Sequence, residues 1–291
     1  MINDKIRSTI RHIKIQTKRV MQNTLAGDYL SAFKGSGLEF DQLREYQIGD
    51  DIRCIDWNSS AKMNRVMIKQ FIEERDRTII LAIDISASSN YTSGTAMRRH
   101  VEAEIGAALA FIAHNNRDKV GLFLFSDRIE GWIPPQKGNV HIGKIVENLF
   151  STKSYNKKTS IAEALRFLIG LKKRNSVVFM ISDWIDDYAS YSKLLKIVGI
   201  EYDFVAVRLL DRCERAFPDV GLIDIEDPET GEILSLDTGL LQGSDKGALL
   251  AARALEQKQL FAKYKIDLLD LPLDTPFFNP LAAFFHQRMR R

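Results

Sequence analysis

Thr78-Ile79-Ile80-Leu81-Ala82-Ile83-Asp84-Ile85-Ser86-Ala87-Ser88 is the stretch on which the fold turns. Its first six residues are apolar apart from Thr78, rich in β-branched side chains and without alternation, as expected of a strand covered on both faces. A carboxylate at Asp84 and hydroxyls at Ser86 and Ser88 follow at alternate positions. In a loop leaving the carboxyl end of a strand, such groups can converge on one point, and open α/β sheets bind their ligands at that edge. Oxygen-only donors suit a hard divalent cation that keeps some of its waters, Mg²⁺ before Zn²⁺. Asp and Ser are also ordinary turn formers, so the five residues alone read equally as a turn.

The bulk of the chain bounds the answer. Its 291 residues can hold one large α/β domain or a main domain with a smaller companion. A balance of 41 basic against 38 acidic residues, net +3, argues against nucleic acid as the main partner. The two cysteines, Cys54 and Cys213, fit no metal or redox spacing and read as reduced thiols of a cytoplasmic protein. No secretory signal and no apolar run of the roughly 18–20 residues that span a bilayer is present.

Outward from the opening stretch, the pattern alternates strand and helix. Continuous apolar runs at 120–125, 177–181 and 204–207 predict further buried strands. Helical spacing covers 97–115, 140–150, 161–172 and 188–198. Residues 129–133 predict a short strand closing at Pro134-Pro135. A hairpin is expected around Asp227-Pro228-Glu229-Thr230-Gly231, then a helix over 246–264, a short strand over 266–269 and a last helix from Asn279. Strands and helices in this order argue for a mainly parallel, doubly wound sheet. Ahead of it, Ile2, Ile6, Ile10, Ile13 and Val20 mark a basic amphipathic helix. Its apolar stripe suits packing on the domain, and its basic face alternatively suits peripheral membrane contact. Residues 35–57 mix both charge signs around few apolar anchors. The whole segment 35–72 is expected to pack against the main domain, with Trp57 at least partly buried and Arg44 or Arg53 paired to Asp50, Asp51 or Asp56. The expected division is therefore 1–75, helix plus extension, and 76–291, the main domain.

Two more polar positions belong with Asp84. Thr159 precedes a helix, where it or Ser160 could simply be an N-cap with Glu163 in a capping box. Asp183 follows the strand over 177–181, where alone it could cap the next helix. The set Asp84, Ser86 and Ser88, then Thr159, then Asp183, resembles the metal-ion-dependent adhesion site of a von Willebrand factor type A domain. The helix start Thr159, Ile161, Ala164, Leu165 is similar to that family too. The resemblance implies a Rossmann-type α/β fold in which Ser86, Ser88 and Thr159 give hydroxyl oxygens. Asp84 and Asp183 would bind Mg²⁺ (or Mn²⁺) directly or through water, leaving the sixth position for a partner's carboxylate. The run Leu43-Arg44-Glu45-Tyr46, Gly49-Asp50-Asp51, Arg53, Ile55-Asp56-Trp57 and Ser60-Ala61-Lys62 further resembles a bacterial domain-of-unknown-function family. That family is usually encoded beside MoxR-type AAA+ ATPases. Departures are Ser89, where members often carry Met, and Lys158, where they often carry Gly. Many members also have transmembrane helices ahead of this region.

The reading that follows is a cytoplasmic, metal-dependent protein-interaction module, not an enzyme. It would act with a MoxR-type ATPase in assembly or maturation of other proteins and meet an acidic side chain at the metal. The rivals are a metal-dependent hydrolase or phosphotransferase with Asp84 as nucleophile, and a scaffold whose metal site does not function. The first would want a second acid where Ser86 stands, and no Gly-x-x-x-x-Gly-Lys loop is present for a nucleotide.

Overall fold

Four of the strands read from the sequence lie side by side at the centre of the molecule. The computed structural model describes residues 4–20, 38–73, 77–90, 97–152, 158–173, 176–211, 221–226, 231–237 and 245–290. A six-stranded sheet runs in the order β10-β7-β6-β3-β4-β5. Its strands are β3 (Thr78–Asp84), β4 (Lys119–Phe125), β5 (Ile129–Gln136), β6 (Val177–Ser182), β7 (Asp203–Leu210) and β10 (Asp267–Pro272). All neighbours pair in parallel except β4 and β5, which are antiparallel.

Each central strand feeds two cores because its side chains alternate between faces. Ile79, Leu81 and Ile83 join Phe179, Ile181 and Val207 on one face, under helices Asp4–Val20, Arg98–Asn115, Asn139–Ser151 and Phe278–Met289. Ile80 and Ala82 join Phe123, Val178 and Met180 on the other, under helices Ile161–Leu171, Tyr188–Glu201 and Asp245–Lys263. Coverage on both faces is why these strands carry no polar alternation. Each such fully buried Ile, Leu or Phe is worth about 1.5–3 kcal/mol relative to exposure. The N-terminal helix uses its apolar stripe in this way: Ile13 is buried and Ile10 packs on the same core.

β5 departs from the expectation of a strand ending before its prolines. It runs through Pro134 and Pro135 to Gln136. Proline cannot donate to a ladder, yet β5 is the edge of the sheet, where one side has no neighbour to satisfy. Gly121 on β4 makes room for it, since a Cβ there would meet Pro135 Cγ at 2.9 Å. The hairpin β8 (Leu222–Glu226) and β9 (Ile233–Asp237) forms as expected, its turn at 227–230 lying outside the described residues. Cys54 is a free thiol, and Cys213 also lies outside them.

The chain divides into two units, residues 34–77 and the remainder, so the N-terminal helix belongs with the large sheet. The smaller unit pairs β1 (Leu38–Glu45) with β2 (Met67–Glu73) in antiparallel fashion. A short helix, Trp57–Met63, connects them, and Asp56 caps it by accepting from the Asn58 and Ser59 amides. Arg44 holds Asp50 through two hydrogen bonds of 2.8 and 2.7 Å, and Arg53 pairs with Asp51, as the charge pattern suggested. Trp57 does not: it is 69% exposed. As the first helical residue it follows the Asp56 cap, and the cap rather than an apolar contact fixes this helix start. Among the described residues, no helix is long and apolar enough to cross a membrane.

Candidate metal centre

The chain enters the large sheet at β3, builds β4 and β5 to one side, then returns to build β6, β7 and β10 on the other. The carboxyl ends of β3 and β6 therefore flank the point where the winding reverses, the crevice in which open α/β sheets place ligands. Asp84 is the last residue of β3 and Asp183 follows β6, and these strands are paired neighbours.

Asp84 is 1% exposed, and both its oxygens have donors. The Ser86 amide donates to Oδ1 at 2.9 Å, and the Ser182 hydroxyl donates to Oδ2 at 2.8 Å. The loop after Asp84 turns into a short 3₁₀ segment, Ala87–Asn90, which brings the Ser86 and Ser88 hydroxyls within 2.9 Å of each other. Asp183 is buried as well; its Oδ1 accepts from the Ile185 amide at 3.0 Å and its Oδ2 from Arg98 at 2.8 Å.

Thr159 reaches the same edge through its neighbours. The Ser160 amide donates to the Ser126 carbonyl, just past β4, at 3.0 Å. The Ile161 amide donates to Asp186, just past β6, at 2.9 Å. Ser160, not Thr159, caps the helix by accepting from the Glu163 amide. Thr159 is half-buried. Lys158 beside it is exposed.

The electrostatics of this edge are dominated by the burial of its acid groups. Burial, and next the like charge of Asp183, push the Asp84 carboxyl up from its ordinary value, while Ser86 and Ser182 oppose the shift. Glu102 is fully buried, and burial followed by the Asp84 charge raises its carboxyl well above the usual range. Burial pulls the Arg99 guanidinium down, and the charges of Glu102 and Asp84 work against that. Ser89 donates from its hydroxyl to Glu102 Oε1 at 3.3 Å and sits within 3.4 Å of the Asp84 carbonyl.

A hard divalent cation fits this donor set. Two buried carboxylates repel one another, paired hydroxyls stand beside them, and every donor is oxygen. Among the described residues no group of three or more His, Cys, Asp or Glu gathers in a metal-binding arrangement, and the candidate set contains only two carboxylates. Each carboxylate oxygen retains a second lone pair after one hydrogen bond, so the donors orient these groups without closing them. A cleft of about 410 Å³ lies elsewhere. It is lined by Gln136, Gly138 and Lys144, at the start of β4 and so at the opposite edge of the sheet.

Ser182, Arg98 and Glu102 are the polar neighbours that sequence reasoning missed. A signal for two of them existed. Arg98 and Glu102 fall in phase with Ile105, Leu109 and Ile112, so the apolar stripe of their helix carries two charges at its amino-terminal end.

Strand order and the position of the polar loops are those of a doubly wound, mainly parallel α/β sheet, as the resemblance to von Willebrand factor A domains implies. In sequence, the family described as "Protein of unknown function DUF58" matches residues 42–243. Uncharacterized proteins Mb1516 of Mycobacterium bovis and Rv1480 of Mycobacterium tuberculosis are 23% identical over 290 residues, covering 98% of this chain and 90% of theirs. Among solved structures, BatB from Bacteroides thetaiotaomicron aligns with a TM-score of 0.48 at 14% identity, over 74% of this chain and 98% of that one. The SpRpn10 VWA domain aligns with a TM-score of 0.41 at 10% identity, over 72% and 94%. With a match running through more than half of its length and over all five candidate ligands, the chain belongs to the DUF58 family.

Proposed function

We propose that this protein is a metal-dependent protein-interaction module. Asp84, Ser86, Ser88, Thr159 and Asp183 would hold Mg²⁺ or Mn²⁺ and leave one coordination position to an acidic side chain of a partner. The observation that carries the reading is convergence. Three loops far apart in sequence meet at one sheet edge, tied there by the Ser182–Asp84, Ser160–Ser126 and Ile161–Asp186 hydrogen bonds. Neutral hydroxyls and two carboxylates at most balance a divalent charge, and water-mediated carboxylates balance it less. An exposed cation so held favours an anionic oxygen from outside.

The geometry supports binding over catalysis. A nucleophilic Asp84 would need an open approach, whereas it is 1% exposed with a hydrogen bond on each oxygen. A MoxR-type AAA+ ATPase as partner rests on the family resemblance, as does a role in assembly or maturation of other proteins, and a cytoplasmic location rests on the cysteine pattern.

The test is capture of a MoxR-type ATPase from the same organism by the intact protein, in Mg²⁺ and in EDTA, beside the melting temperature in both. The reading expects capture and a higher melting temperature in Mg²⁺ only, with Asp84→Ala losing both. Equal capture in EDTA would place the interface elsewhere. Absence of any Mg²⁺ or Mn²⁺ effect on melting would make the protein a scaffold with a silent site.

A further inference from the structure

We infer that Arg98, with Arg99 beside it, is a built-in cation that sets the charge of the metal-loaded site and makes that site selective for an anionic sixth ligand. The inference rests on the metal reading above and concerns what the protein adds to it.

Arg98 opens the helix behind the loop of Ser86 and Ser88, and it is 2% exposed. Its guanidinium donates to Asp183 Oδ2 at 2.8 Å, so one of the two candidate carboxylate ligands is already ion-paired from inside. Glu102, one turn further along and 0% exposed, presents Oε1 to the Ser89 hydroxyl. Its Oε2 is buried with no hydrogen-bond partner among the described residues. Arg99 is anchored on the other side, donating to the Leu149 carbonyl at 2.9 Å, and its charge acts on both Glu102 and Asp84.

The formal charges decide the consequence. Asp84, Asp183 and Glu102 against Arg98 and Arg99 leave one net negative charge in a buried site. A divalent cation turns that to one net positive charge, and a proton on Glu102 only adds to it. A carboxylate from a partner then meets an electropositive centre. Without the two arginines, the same loaded site would be neutral with that proton on Glu102 and net negative without it, and the partner's carboxylate would lose its electropositive target. The arginines have a cost in the other direction, because a fixed guanidinium close to the cation opposes its binding. Metal affinity is thus given up in exchange for dependence on the anionic partner.

The experiment uses the full chain, Mn²⁺ as the metal, acetate as the carboxylate probe and free-Mn²⁺ electron paramagnetic resonance as the readout. Binding is measured in acetate and in chloride at equal ionic strength, with far-UV circular dichroism confirming the fold. The wild type is expected to bind Mn²⁺ weakly in chloride and several-fold more tightly in acetate. Arg98→Gln is expected to bind Mn²⁺ about tenfold more tightly in chloride, the effect of one lost like charge at partly screened range, and to lose the gain from acetate. Arg98→Lys, which keeps the charge, should follow the wild type. Arg99→Gln should move the same way as Arg98→Gln by a smaller factor, and it decides the matter if Arg98→Gln fails to fold. Unchanged or weaker Mn²⁺ binding in the folded glutamine variants, with the wild type binding, overturns this inference and leaves the metal reading standing. No Mn²⁺ binding by the wild type or any variant overturns both.

Discussion

Ser182 donates its hydroxyl to Asp84 Oδ2 at 2.8 Å, joining the ends of two neighbouring strands whose residues are 98 apart in sequence. Both groups are buried, Ser182 at 0% and Asp84 at 1% exposure, so water cannot replace either partner. The same hydroxyl accepts from the Trp184 amide at 3.1 Å, which sets the backbone just past Asp183. Ser182 therefore positions both candidate carboxylates. Ser182→Ala would strip one donor from a buried carboxylate and one acceptor from a buried amide, which costs about 1–3 kcal/mol. The expected outcome is a melting temperature lower by about 2–4 °C per kcal/mol, with Mg²⁺ or Mn²⁺ stabilisation reduced rather than abolished. An unchanged melting curve would show that the bond carries no weight.

The three hydroxyls assigned to the metal are expected to act differently from Ser182. Ser88 and Thr159 are half-buried in loops, while Ser86 lies fully buried against them. Ser88→Ala and Thr159→Ala each remove one proposed metal ligand and little packing. Stability without metal should change by less than about 0.5–1 kcal/mol, whereas the rise in melting temperature on adding Mn²⁺ should shrink markedly. Differential scanning fluorimetry with and without Mn²⁺ separates the two effects. A variant that melts early yet keeps its full Mn²⁺ response would remove that residue from the ligand set.

Gly199 tests the packing beneath the opposite face of the sheet. A Cβ at that position would stand 2.6 Å from the Tyr264 carbonyl oxygen and 3.3 Å from Ile266 Cγ1. The nearest atom is backbone, so relief requires the helix Tyr188–Glu201 or the segment before β10 to move. Gly199→Ala should lower stability by about 1–3 kcal/mol in urea unfolding, although alanine is the better helix former. A gain in stability would mean that the helix or the segment before β10 yields to the added methyl at little cost.

Glu104 supplies a pH dependence away from the site. Burial raises its carboxyl above the ordinary 4.5, with His100 and then His12 of the N-terminal helix pulling the other way. A folded value above the unfolded one means the native state holds the proton longer. Its stabilising contribution is thus fully present below the unfolded value and is lost as pH rises through the folded one. Glu104→Gln should therefore melt closer to the wild type near pH 4 and gain on it as pH rises toward 7. Parallel melting curves across that range would show that Glu104 is solvated as in the unfolded chain.

What the sequence by itself determined were the elements whose signal is local. Apolar runs without alternation marked β3, β4, β6 and β7, because a strand covered on both faces has no solvent side to encode. Asp84 and Asp183 stood out because a charged residue ends such a run only where the chain leaves the sheet. The prolines of β5 misled for a related reason: proline forbids an inner strand, and whether a strand is an edge depends on the order of the sheet, which local pattern does not contain. Trp57 misled likewise, since a large aromatic argues for burial only when an apolar surface stands opposite it.

The tertiary structure alone decided which side chains meet. Ser182 reaches Asp84 across 98 residues and Arg98 reaches Asp183 across 85. Both contacts follow from the parallel pairing of β3 with β6 and from the helix Arg98–Asn115 lying across that face. Periodicity says that a face is buried, not what covers it. A charge such as Arg98 or Glu102 acquires its meaning only when the fold removes it from water and leaves it beside another charge.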